Sequence, residues 1–347
     1  KEIKGKLTAG AQIRIVANTI LSPSAKKALA EFQQAYPNTQ VVMYDPVSSS
    51  AMLQANEQSF GQKAVPAYHF DKAKVIASFG ADFLGTWISP VEYSAQYSRN
   101  RKIKDLSKPE LSWHVQVESA MSLTGSNADN RILVKPSEQG AAIVALYNEL
   151  AGKMGGQTVS APALNDRAGA AIQKLAGRLM ENRGASLVVS GSNNVGEQVL
   201  VNAINDMLGN YGKTIDFAEA SLQRQGVDQD VRRLVQQMND GSVDALFVMG
   251  ANPAFDLPDA ESFKTGMEKV ALKVSFNPDM DETTALCNYS APTHHYLESW
   301  GDAQPPRGHY SVVQPTIAPL YATRQAEESL LRWAESANLK ADAEQPY

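Results

Sequence analysis

The stretch Val243-Asp244-Ala245-Leu246-Phe247-Val248-Met249-Gly250-Ala251-Asn252-Pro253-Ala254 decides the fold. Its apolar core does not alternate with polar residues, as in a strand buried on both faces of a parallel sheet. The glycine that ends it lets the backbone turn sharply and approach a ligand closely. A second copy lies upstream, Ala73-Lys74-Val75-Ile76-Ala77-Ser78-Phe79-Gly80-Ala81-Asp82-Phe83. Two such runs closed by Gly-Ala-Asp/Asn predict two similar α/β units, each with a turn at the carboxyl end of a strand, where such sheets bind ligands.

Outward from these runs, strands alternate with helices. Residues 12–17 and 40–44 predict strands around a helix opened by Ser22 as N-cap and Pro23 at its first position. That β-α-β run calls for a right-handed crossover and a parallel sheet. Further strands are expected at 74–79, 114–119 and 132–134, and helices at 90–101 and 138–150. The Gly-rich stretch 152–162 reads as an internal linker. The pattern then restarts, with strands at 185–190, 243–249 and 270–276 and helices at 168–182, 197–209, 228–239, 258–269 and 325–337. The expected fold is α/β, two tandem Rossmann-like doubly wound parallel-sheet domains over 1–155 and 156–320. Residues 321–347 would form a helical tail leading to a missing region. Beginning at Lys1 without a methionine, the chain reads as a processed segment of something longer.

Composition narrows the function. With 347 residues there is room for two cores, and a net charge of -5 argues against nucleic acid as the main partner. No apolar run approaches the ~20 residues that cross a bilayer. The single cysteine, Cys287, excludes an intrachain disulfide and a four-thiolate iron–sulfur cluster.

Few motifs carry chemistry. There is no Gly-x-x-x-x-Gly-Lys-Ser/Thr loop and no Gly-x-Gly-x-x-Gly after the first strand. The Gly80-Ala81-Asp82 and Gly250-Ala251-Asn252-Pro253 turns read either as cradles for a pyrophosphate through backbone N–H groups or as plain tight turns. His294, His295, Glu298, Asp302 and His309 include the imidazoles and carboxylates that suit zinc or iron. Adjacent histidines point in different directions, however, and the aromatic setting of Tyr296 and Trp300 reads as a packed surface loop. Ser190-Gly191-Ser192 has the wrong order for a nucleophile elbow. Cys287 sits among apolar neighbours, as an inert thiol would. Tyr93, Tyr97, Trp113, Tyr296, Trp300, Tyr310 and Tyr321 lie in two irregular stretches and suit an interface or a core.

Longer segments carry a resemblance. Val75 to Asp82, then Ser126-Asn127-Ala128-Asp129 through Ile132-Leu133-Val134-Lys135-Pro136-Ser137-Glu138-Gln139, resemble the second domain of molybdopterin oxidoreductases. Leu187-Val188-Val189-Ser190-Gly191, Ala203-Ile204-Asn205, Gly250-Ala251-Asn252-Pro253 and Asp281-Glu282-Thr283-Thr284-Ala285 resemble the third. Tyr296-Leu297-Glu298-Ser299-Trp300-Gly301-Asp302-Ala303 and Gln314-Pro315-Thr316-Ile317-Ala318-Pro319-Leu320-Tyr321 look most like the large iron–sulfur subunit of bacterial alternative complex III, a quinol:electron-acceptor oxidoreductase.

The departures from that pattern matter. Gly80-Ala81-Asp82-Phe83 stands where cofactor-binding relatives have Gly-x-Asn-Pro, and Pro136-Ser137-Glu138-Gln139 where they have Pro-Gly-x-Asp. No cysteine stands where a metal-ligating thiolate is expected. The resemblance therefore implies no catalytic residue, no metal ligand and no cofactor in this chain, with Gly80, Ala81, Asp82, Gly250, Asn252 and Pro253 as vestigial pterin-loop positions. It also implies a scaffold on the periplasmic side of the inner membrane, beside a ferredoxin-like iron–sulfur domain of the same subunit, cytochrome c-type haem subunits and integral membrane subunits. Trp87, Tyr93, Tyr97, His294, His295, Trp300 and Tyr310 are the interface candidates. Two other readings are an active subunit of the polysulfide-reductase type and a soluble two-domain ligand-binding protein.

Overall fold

The structure is a computed structural model that describes residues 2–103, 105–107, 109–160 and 162–339. In chain order its strands are β1 (Ile13–Ala17), β2 (Thr39–Met43), β3 (Val65–Tyr68), β4 (Val75–Phe79), β5 (Trp113–Glu118), β6 (Asn130–Leu133) and β7 (Ser186–Ser190). They continue with β8 (Ile215–Ser221), β9 (Ala245–Met249), β10 (Leu272–Ser275), β11 (Tyr289–Ser290), β12 (Gly301–Ala303) and β13 (Ser311–Val313).

Two compact units result, but they are not the expected tandem halves. One unit joins the residues up to Ser49 to those from Leu222 on, and the other is Ser50–Ser221. The boundaries 1–155 and 156–320 are thus corrected. The 152–162 stretch is a loop, as its glycines require, but the helices on either side, Gln139–Lys153 and Asp166–Glu181, enter the same core through Ile143, Leu146, Ile172 and Leu175. Loop composition marks where a helix stops, not whether the chain leaves its core.

In the discontinuous unit the sheet order is β11-β10-β9-β1-β2, with every pair parallel. Ile15 lies opposite both Val41 and Phe247. Successive side chains point to opposite faces, so Ala245 and Phe247 join Phe32, Leu330 and Trp333 in one layer. Leu246 and Val248 join Val231, Leu234, Phe263 and Met267 in the other. The helix Pro23–Ala35 has the expected start, with Ser22 Oγ accepting from Ala25 N at 2.9 Å.

In the inserted unit the order is β6-β5-β4-β7, again all parallel. An additional antiparallel pair, β3 with β8, has no counterpart in the sequence expectations. Strand order reverses between β1 and β9 in one unit and between β4 and β7 in the other. In sheets of this kind such reversal points open a crevice at the carboxyl ends of the strands, and the two Gly-Ala-Asp/Asn turns stand there.

Candidate functional site

The turn after β4 is closed from within. Gly80 adopts φ +61°, the left-handed conformation that glycine tolerates. The side chain of Gln139, at the start of the helix Gln139–Lys153, lies directly over it. A Cβ on Gly80 would stand 2.5 Å from Gln139 Nε2, which donates to the Phe79 carbonyl at 3.0 Å. From the neighbouring β7, Gly191 presses on the same turn, and a Cβ there would stand 2.5 Å from the Gly80 oxygen. Several amides at and beside the turn are engaged as well. Gly80 N donates to Val117 O and Gly191 N to Phe79 O, both at 2.9 Å. Leu84 N donates to Thr124 Oγ1 at 2.9 Å and Ser192 N to Ser190 Oγ at 3.1 Å. Ala81 is fully buried. The Asp82 carboxylate turns away to accept from Thr124 N and Oγ1 at 2.9 and 2.6 Å. In the sequence, Gln139 is visible only as a departure from the Pro-Gly-x-Asp pattern.

The turn after β9 differs. Gly250 also has a positive φ, +64°, yet a Cβ there would meet nothing within 4 Å. Its amide donates to Asn277 Oδ1 at 2.8 Å. Asn252 Oδ1 accepts from Thr283 N and Oγ1, and its Nδ2 donates to Glu282 at 2.7 Å. Pro253 opens a short helix, Pro253–Asp256. Asn18 follows β1, whose Ala17 lies opposite Met249, and its Oδ1 is buried with no hydrogen-bond partner among the described residues. The Gly250 turn keeps room at its glycine, whereas the Gly80 turn does not.

No family model matches the chain. It is 24% identical over 307 residues to the menaquinone reductase, molybdopterin-binding-like subunit of Nitratidesulfovibrio vulgaris (strain Hildenborough), covering 76% of this chain and 43% of that protein. The chain is homologous to that subunit. Over 80 residues it is 30% identical to the assimilatory nitrate reductase catalytic subunit of Bacillus subtilis (strain 168), covering 23% of this chain and 11% of that one. The chain therefore spans less than half the length of either relative. Acetylene hydratase from Pelobacter acetylenicus shares its fold with TM-score 0.67 at 11% identity, over 93% of this chain and 55% of that one. The formyltransferase/hydrolase complex FhcABCD from Methylorubrum extorquens gives TM-score 0.61 at 13% identity, over 96% of each chain. The α/β class and its molybdopterin-oxidoreductase-like architecture hold.

The other sequence candidates separate. Tyr93 and Tyr97 are core residues rather than interface residues. They are buried against Phe70, Phe83 and His114, because the helix Pro90–Arg99 turns them onto the sheet. Trp87 is half-buried against Tyr68 and Tyr93. Trp113 is half-buried, with the Arg178 guanidinium 4.2 Å from its ring centre. Trp300 is 44% exposed and Tyr310 69%. His294, His295, Glu298 and Asp302 each have a partner of their own: His294 Nδ1 meets Thr323 Oγ1, and His295 Nδ1 accepts from Leu297 N at 3.3 Å. Buried Glu298 accepts from His295 N and Leu320 N, and Asp302 from Ser22 and Ser24. Among the described residues no group of three His, Cys, Asp or Glu side chains is placed to hold a metal. Cys287 is half-buried, and burial pushes its thiol up to about 11.

One polar cluster escaped the sequence reading. His114 on β5 is fully buried, with Nδ1 3.3 Å from Tyr97 Oη and Nε2 donating to Gln116 Oε1 at 3.3 Å. Burial, the largest influence, depresses its pKa to about 4. The alternating sequence Trp-His-Val-Gln-Val-Glu reads as a half-solvated strand, whereas this strand is covered on both faces.

Proposed function

We propose that the chain is a non-catalytic, molybdopterin-enzyme-like part of a respiratory quinol:electron-acceptor oxidoreductase of the alternative complex III type. It scaffolds a ferredoxin-like iron–sulfur domain and cytochrome c-type and integral membrane subunits on the periplasmic face of the inner membrane. The observation that carries this reading is the Gln139 amide in the space above Gly80. A pyrophosphate needs free N–H donors and an open approach to a turn of this type, and the residues at the Gly80 turn do not fit one. Homology to a molybdopterin-binding-like subunit of a menaquinone reductase supports the quinone-linked setting. The role is then geometric: its packed α/β units hold the surfaces on which redox-carrying neighbours dock.

A second reading, a cofactor-bearing oxidoreductase subunit, is favoured by the open Gly250 turn and the orphaned Asn18 Oδ1. Elemental analysis of the native assembly for molybdenum, tungsten and iron, with a pterin assay, separates the two. The scaffold reading expects iron without molybdenum, tungsten or pterin. About one molybdenum or tungsten per chain would replace it with the second reading.

A further inference from the structure

The inserted unit carries a cleft of about 850 Å³ at the end of its sheet opposite the Gly80 turn, where β4 and β5 begin. Clefts of that volume hold small molecules. Lys74 stands just before β4, Ser112 just before β5 and Trp113 at its first position. Arg178 and Glu181 reach the cleft from the end of the helix Asp166–Glu181. The backbone between these residues is fixed: Trp113 N donates to Lys74 O at 2.8 Å, Lys74 N to Ala185 O at 2.7 Å and Ser112 N to Asn100 O at 3.0 Å.

Charge alone does not say what enters. Five cations and four carboxylates line the cleft, a surplus of only one. The hydrogen-bonding groups say more. The Arg178 guanidinium lies over the Trp113 ring, 4.2 Å from its centre. Stacking of this kind engages the face of the guanidinium and leaves the donors at its edge free. Among the described residues nothing takes those donors, although Glu181 lies three positions further on. The Lys74 ammonium and the Trp113 indole N–H likewise have no hydrogen-bond partner among the described residues. Ser112 is 5% exposed, and its hydroxyl is buried without a partner.

A cation in the last turn of a helix is favoured there by the helix dipole, which accounts for the charge at position 178. It does not account for a guanidinium held on an indole ring with its fork unused, nor for Lys74, which lies in no helix. An arginine fork matches two oxygens of one phosphate, and a lysine adds a compact charge to the same group.

We propose that this cleft binds a phosphate group through Arg178 and Lys74, with Trp113 holding the Arg178 fork in place. No residue of the Gly80 or Gly250 turn lines it, so the site goes beyond the scaffold reading and stands whether or not a turn holds a cofactor.

Calorimetric titration of the native assembly with inorganic phosphate and pyrophosphate tests it, together with cosedimentation on phosphatidylglycerol vesicles. Saturable binding is expected. Arg178→Gln should weaken it at least about tenfold, as loss of a charge-assisted bond does. Arg178→Lys, which keeps the charge but not the fork, should recover only part of that. Glu181→Gln should tighten binding by removing a like charge. Lys26→Gln, on an exposed position of the helix Pro23–Ala35, should leave it unchanged. Arg178 is exposed, so its variants should melt as the wild type does. Pyrophosphate binding without vesicle binding assigns a free phosphate ligand, and vesicle binding that Arg178→Gln abolishes assigns a lipid headgroup. No saturable binding, wild-type binding by Arg178→Gln or Arg178→Lys, or equal losses in Arg178→Gln and Lys26→Gln would overturn the proposal.

Discussion

Gln139 and Gly80 are 59 positions apart in sequence, and the amide of one fills the space a ligand would take at the other: Nε2 lies 2.5 Å from the site of a Cβ on Gly80 and 3.0 Å from the Phe79 carbonyl it serves. Gln139→Ala should cost ~1 kcal/mol, the usual net worth of one such bond. Gln139→Glu should cost more at neutral pH than at pH 4, because a carboxylate there faces a carbonyl oxygen with no proton to donate. Denaturant melts at both pH values check this, and equal costs would remove the hydrogen bond from the explanation.

The two crevice glycines should respond differently to a methyl group. At Gly191 the added Cβ meets the Gly80 carbonyl, backbone that has no freedom to move aside, and overpacking of this kind costs ~1–3 kcal/mol. At Gly250 the space is open and only the positive φ opposes the change, which costs ~1 kcal/mol. Gly191→Ala should therefore lower Tm further than Gly250→Ala. The reverse order would refute the close contact of Gly191 with the Gly80 carbonyl.

His114 makes stability pH-dependent. Its folded pKa, about 4, lies below the ordinary value of 6.5 because burial disfavours the charged ring. Between those values the unfolded chain binds a proton that the folded one does not. Stability from this group is thus full above pH ~6.5 and falls as the pH drops towards 4, by up to ~3 kcal/mol. His114→Leu should flatten that part of the curve, and an unchanged slope in the variant would acquit the histidine.

Cys287 should resist alkylation. Its thiol is raised to about 11 by burial, and Sγ lies 3.4 Å from the Thr283 carbonyl. The thiolate is the reactive form, so iodoacetamide at pH 8 should modify the native protein far more slowly than the urea-unfolded one. Comparable rates would contradict the burial.

Trp300 makes its clearest internal bond through its carbonyl, to Gln325, which truncation leaves intact. Trp300→Ala should change folding stability within ~0.5 kcal/mol, as exposed substitutions do. In the complex it should weaken assembly. A variant that assembles as tightly as the wild type would place the contact elsewhere.

The apolar runs of β1, β4 and β9 were legible because a strand covered on both faces must be apolar throughout, and the glycines after two of them because a sharp turn there needs a positive φ. Helix starts at Ser22 and Pro23 were equally local. Tyr93 and Trp300 look alike in sequence, yet one is core and the other surface, since burial depends on which way a whole helix or hairpin faces.

By itself, then, the sequence determined the α/β class and the two strand-end turns, because periodicity, capping and glycine conformation act within a few residues. The tertiary structure alone decided that β1 pairs with β9 across 227 intervening positions, which makes one unit discontinuous, and that Gln139 closes one turn while the other stays open. Those outcomes rest on contacts between segments distant in the chain, and no local pattern encodes them.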